Sequence, residues 1–165
     1  MEETATVNVD NRRGNPYFVV PFLLLLAVLI ALRGLGLLGV TVFDSWSMAT
    51  RFALAAMFVF TSLSHFAGTR GTLIQMVPNV FPAPGLLVTV TGLAEIAGAI
   101  GLLLPGFVSW AGLGLTILLM MMFPANVIAV REKIEMNGKP PTPIWFRFVI
   151  QLFFIGLLLW ATGWV

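Results

Sequence analysis

The chain has 165 residues, 59% of them hydrophobic and 10% charged, with a formal net charge of +2 and no cysteine. A soluble domain carries about 25% charged residues, so this composition excludes a globular enzyme with a polar surface and implies an integral membrane protein. The small net charge gives no reason to expect a nucleic-acid partner, and the lack of cysteine excludes disulfides, thiolate metal sites and thiol nucleophiles.

Residues 1–16 are polar, with Glu2, Glu3, Asp10, Arg12 and Arg13, and predict a disordered tail. A helix needs about 20 mostly apolar residues to cross a bilayer, and five segments come close. The first, Tyr17 to Leu32, is the weakest: it is short, contains Pro21 and is followed by Arg33. Arg33 can snorkel, and Leu35 to Phe43 lengthens the span or lies along the interface. The long acidic leader and the lack of a small-x-small site after the apolar run favour a retained helix over a cleaved signal peptide.

The second segment runs from Ser47 to Phe66. Residues 67–84, "AGTRGTLIQMVPNVFPAP", hold three prolines and are too apolar for a free loop. They predict a short interfacial helix, Gly71 to Met76, then a proline-fixed cap. The third segment, Gly85 to Leu104, meets the fourth, Val108 to Val130, through the tight turn "LLPGF", so the two form an antiparallel hairpin. "NGKPPTP" is a proline-stiffened turn before the fifth segment, Ile144 to Gly163. The chain thus divides into a tail (1–16), an N-terminal transmembrane helix with its connection (17–45), and an all-α membrane bundle of four helices (46–165). The first helix brings no buried-type polar residue and is expected to pack outside that bundle.

Five spans leave the termini on opposite sides. Arg12, Arg13, Arg70, Arg131, Lys133 and Lys139 share one side, against Arg33 and Arg51 on the other. The positive-inside rule places the N-terminus in the cytoplasm. Trp46, Trp110, Trp145, Trp160 and Trp164 fall near predicted helix ends, as interfacial anchors do.

Five polar side chains lie in the spans: His65, Glu95, Asn126, Arg147 and Gln151. Glu95 is deepest, where an acidic group costs about 2.5–3.5 kcal/mol and is too far from the interface to snorkel. His65, Asn126 and Arg147 lie nearer the cytoplasmic ends of their helices. Gln151 is one turn deeper than Arg147 on the same face. Four helices thus bring polar groups to the cytoplasmic half of the bilayer, and the expected contact is between Glu95 and Arg147, Gln151 or both. Each residue also has a plain structural reading. His65 suits an interface, Asn126 can repair the backbone opened by Pro124, Gln151 can join helices, and a Glu95–Arg147 pair can simply fix packing. Ala94-x-x-x-Gly98 and Ala97-x-x-x-Gly101 allow close helix approach. The run Met120 to Met122 is adaptable apolar filling. No phosphate loop, internal repeat or paired-histidine metal motif is present in the sequence.

The stretches "MFVFTSLSHF" (57–66), "MVPNVFPAPGLLVTVTGLAEIAGAIGLLLP" (76–105), "FPANVIAVRE" (123–132) and "PTPIWFRFVIQLFFIGLLLW" (141–160) together resemble the DoxX-like family of small membrane proteins. "LRGLGLLGVTVFDSW" (32–46) is similar to the lead-in of one bacterial branch of that family. The resemblance implies a four-helix transmembrane bundle, here the last four spans, with an added N-terminal helix, in a bacterial inner membrane. All five polar residues sit inside the matching motifs. The family is associated with thiosulfate:quinone oxidoreduction and membrane redox or oxidative-stress assemblies; distant relatives act as membrane-protein chaperones or cargo receptors. Where relatives use cysteine pairs this chain departs from them, which removes thiol-based redox transfer.

Four functions compete. A binding module would hold a quinone or lipid-like molecule against the polar cluster, as an accessory subunit beside a redox-protein partner or in a homo-oligomer. An enzyme would use Glu95 or His65 to move protons to a bound quinone, although no prosthetic-group motif is present. An assembly factor or scaffold would use the cluster structurally. A proton or solute pathway ranks last, because one cluster in half the membrane makes no continuous path.

Overall fold

The computed structural model describes residues 19–165. The expected polar tail, the start of the first segment at Tyr17, and Arg12 and Arg13 lie outside the described residues. The helices are α1 (Val20–Leu37), α2 (Trp46–Leu63), α3 (Arg70–Gln75), α4 (Pro84–Leu103), α5 (Val108–Arg131) and α6 (Ile144–Ala161), with a 3-10 turn at Thr41–Phe43. Five of them, all but α3, are long and apolar enough to cross a membrane. Each also turns large apolar side chains outward, among them Ile30, Phe60, Leu86, Met121 and Val149. In water that surface would aggregate; against lipid it needs no cover. The protein is an all-helical integral membrane protein.

Helix limits follow local chemistry. Pro21 falls in the first turn of α1, where its missing N–H costs nothing, and Pro84 does the same for α4. Of the two readings of the residues after Arg33, α1 takes the longer span and continues past Arg33 to Leu37. The reason is visible in the Arg33 guanidinium, which turns back to the carbonyls of Phe43 and Asp44 and lies over the Trp46 ring at 4.6 Å. A charge held in this way does not end the helix. Ser45 caps α2 by accepting from the Met48 N–H at 3.5 Å. At its other end α2 stops at Leu63, three residues short of the expected Phe66, and residues 64–66 form a turn. The short helix α3 lies within one residue of its expected position.

Helix α2 packs on α4, α4 on α5, α5 on α6 and α6 on α2, closing a ring. Helix α1 lies against α2, with Phe22 edge-on to Phe153 of α6 at 5.4 Å. Leu25, Leu54, Phe58, Leu102, Leu115 and Leu158 form the buried core. The small residues of α4 serve close approach: a Cβ on Gly98 would come within 2.5 Å of Leu115 on α5. Where α2 and α5 begin and α6 ends, Ser47 donates to the Ala161 carbonyl (2.9 Å), Ser109 to the Thr162 carbonyl (3.0 Å) and the Trp164 indole to the Ser109 carbonyl (2.9 Å). These bonds fix one end of the ring. The candidate site lies toward the other.

Candidate functional site

Glu95 lies eleven residues into α4, about 16 Å from its start at a rise of ~1.5 Å per residue. Its side chain faces inward and is only 4% exposed, as is His65. Thr61 Oγ1 donates to Glu95 Oε2 at 2.9 Å, and His65 Nε2 stands 3.7 Å from Glu95 Oε1. The other imidazole nitrogen, Nδ1, is 2.8 Å from the Val88 carbonyl and 3.1 Å from Thr91 Oγ1. A carbonyl only accepts, so Nδ1 carries a proton and donates. Nε2 and the carboxylate then face one another at 3.7 Å.

The turn at 64–66 makes this contact possible by folding His65 back across α4. Gly92 accommodates it, since a Cβ there would lie 2.7 Å from His65 Cβ and 2.9 Å from the Phe66 ring. Arg70 locks the turn: Nη1 donates to the His65 carbonyl (2.7 Å), and Nη2 to the Gly85 carbonyl (2.9 Å) and Thr89 Oγ1 (3.0 Å). The end of α2 is thereby clamped to the start of α4.

The expected Glu95–Arg147 contact does not form. Arg147, 6% exposed, donates from Nη1 to Asn126 Oδ1 (2.8 Å) and from Nε to the Thr142 carbonyl (3.1 Å). It sits in the first turn of α6, where the neighbouring connection offers a carbonyl, and its guanidinium turns that way and toward α5 instead of deeper. Gln151, expected near Glu95, donates from Nε2 to the Leu119 carbonyl of α5 at 3.0 Å. The five polar residues therefore fall into separate groups: His65 with Glu95 between the end of α2 and α4, Arg147 with Asn126 between α6 and α5, and Gln151 on the Leu119 carbonyl of α5.

One cavity separates the first two groups. It encloses about 260 Å³, with His65 and Thr91 on one wall and Asn126 on another. The rest is apolar, including Met76, Val77 and Phe81 from the segment after α3 and Met122 from α5. Glu95, Arg147 and Gln151 do not line it. Instead, Glu95 stands behind His65 and Arg147 behind Asn126. A guanidinium only donates, so its bond fixes Asn126 Oδ1 toward Arg147 and turns the amide NH2 away. Among the described residues that NH2 makes no hydrogen bond, and Asn126 is one of the residues that line the cavity.

Thr61, Arg70, Thr91 and Thr142 were missed by sequence reasoning. A signal existed for two of them. Thr61 precedes His65 by four residues and Thr91 precedes Glu95 by four, so each helix offers a hydroxyl one turn before its titratable group. Arg70 read only as a loop charge.

Fold and site together define a small helical membrane protein with a largely apolar cavity edged by His65, Thr91 and Asn126. The chain belongs to the family described as a domain of unknown function (DUF8561), whose family model matches residues 54–163. All five polar residues lie within the match; α1 and the first turns of α2 precede it. Neither the curated proteins nor the solved structures contain a match to this chain.

Proposed function

We propose that this protein is a DoxX-like membrane binding protein, a four-helix bundle with one added helix, that holds a small hydrophobic molecule with a hydrogen-bonding head. The observation that carries the reading is the Asn126 amide donor, fixed by Arg147 and set across an apolar cavity from His65 and Thr91. Apolar walls with a few convergent polar groups are the ordinary chemistry of small-molecule sites. A fixed donor selects a head with an acceptor oxygen, such as the carbonyl of a quinone or of a lipid ester. The protein would act as the accessory subunit of a membrane redox system whose redox centre lies on a partner. The charge distribution favours an N-terminus in the cytoplasm, and the DoxX-like resemblance implies a bacterial plasma membrane.

Mass spectrometry of organic extracts tests this reading. Purified wild-type protein should carry a carbonyl-bearing apolar molecule that is missing from Asn126→Leu. The same extract from both proteins would sink the proposed site. A structural role, as in an assembly factor or scaffold, has one observation in its favour: Glu95 and Gln151 find their hydrogen-bond partners inside the protein. On that reading both extracts contain only bulk lipid.

A further inference from the structure

The cavity holds about 260 Å³, just under the ~300–1,000 Å³ of usual small-molecule sites. A single ring or head group fills it. Any long apolar tail must leave between helices, and the structure provides one route. A groove of about 470 Å³ runs along the outer face of α4 and α5, between Ala97 and Gly101 on one side and Trp110 and Gly114 on the other. A stripe of small residues alone would be an ordinary packing face. This groove differs because Leu118 and Met121 line both it and the cavity. Those two side chains are the partition between them. Met121 is exposed on the outside, and its unbranched side chain changes rotamer easily. From Trp110 to Met121 the groove extends roughly 17 Å at ~1.5 Å rise per residue, a little over half of the ~30 Å hydrocarbon core.

We propose that the ligand is a single-tailed amphiphile, with its head in the cavity by Asn126 and His65 and its tail passing Met121 into the α4–α5 groove. This rests on the binding reading above and adds the ligand's shape to it. Lipid is as apolar as the groove walls, so the groove adds little affinity for a tail. Its role is steric: it gives the tail somewhere to lie while the head is bound. Filling the groove should therefore exclude tailed ligands and spare tailless ones.

Gly114 is the position to fill, because a Cβ added there meets no atom within 4 Å. Ala97, on the opposite wall, is the independent second choice. The probes are a dimethoxybenzoquinone without a tail and the same head with a decyl tail. Binding is measured to protein in phosphatidylcholine nanodiscs, counted above empty nanodiscs. Wild-type protein should bind both. Gly114→Leu and Ala97→Leu should each keep the tailless probe and weaken the decyl probe by about tenfold or more, the scale of forcing extra volume into filled space. Unchanged decyl binding in both variants overturns the tail route, and so does equal loss of both probes. A change of oligomeric state in Gly114→Leu also overturns it, by making the groove a helix-packing face between copies. If wild type binds the tailless probe alone, the tail route fails while the cavity reading stands. If it binds neither, both fall.

Discussion

His65 Nε2 stands 3.7 Å from Glu95 Oε1 while Nδ1 of the same ring donates to the Val88 carbonyl at 2.8 Å. Thr61 donates to the other carboxylate oxygen. This accounts for an acidic residue at mid-span, since neither oxygen is left facing hydrocarbon.

The first prediction follows from that arrangement. Glu95→Gln keeps an acceptor for Thr61 and offers an amide donor to Nε2, so it should cost about 1 kcal/mol, the scale of one interhelical hydrogen bond in a membrane. Glu95→Ala leaves the buried His65 Nε2 facing no partner, while Thr61 keeps the Phe58 carbonyl, and should cost about 3 kcal/mol. Reversible unfolding in mixed micelles measures both. Equal losses would mean that the carboxylate contacts contribute nothing specific.

Two glycines supply a matched comparison. Gly92→Ala puts a methyl group within 2.7 Å of His65 Cβ, so the turn must shift. Overpacking of this kind costs about 1–3 kcal/mol and should also displace His65 from the cavity wall. Gly114→Ala meets open space and should stabilise α5 by up to about 1 kcal/mol through helix propensity. The same unfolding assay compares them. Similar effects at the two positions would argue against the close α2–α4 contact.

Much of this architecture could be read from the sequence, because apolar runs of bilayer length leave few alternatives. Four of the long helices lie close to their expected ranges, and α3 was legible from an apolar connection punctuated by prolines. The partner of Glu95 was harder to read. It depends on a turn after Leu63 that folds His65 back over Gly92, thirty residues from the carboxylate it meets. Helical depth alone put Arg147 and Glu95 in the same half of the membrane, but depth does not give direction around a helix. The Thr142 carbonyl and Asn126 draw Arg147 to the α5 side instead. The cavity was not legible at all, since its walls come from four separated stretches of chain.

The absence of cysteine makes topology directly measurable, because any introduced thiol is the only one present. Pro105 lies in the turn between α4 and α5, and Lys139 in the connection between α5 and α6. A single crossing by α5 puts them on opposite sides of the membrane. With the proposed orientation, an impermeant maleimide added to intact cells should label Pro105→Cys. It should reach Lys139→Cys only after the membrane is opened. Labelling of both in intact cells would contradict the crossing, and the reverse pattern would invert the orientation.

The separation of Glu95 from Arg147 gives the last prediction. Among the described residues no hydrogen bond or ion pair joins Glu95 to Arg147: Glu95 engages Thr61 and His65, while the contacts of Arg147 include Asn126 and Thr142. Sites without shared partners add within about 0.3–0.5 kcal/mol, whereas members of one network couple by about 0.5–3 kcal/mol. A double-mutant cycle of Glu95→Gln with Arg147→Lys should therefore give coupling under about 0.5 kcal/mol. The cycle of Glu95→Gln with His65→Asn should exceed it clearly. Conservative replacements limit the damage that stranded charges would do to the bundle. The discriminating quantity is the difference between the two cycles, measured by unfolding in the same micelles. Strong coupling in the first cycle would restore the direct Glu95–Arg147 contact that helix depth suggested. It would also reduce the cavity to a gap inside a single polar network.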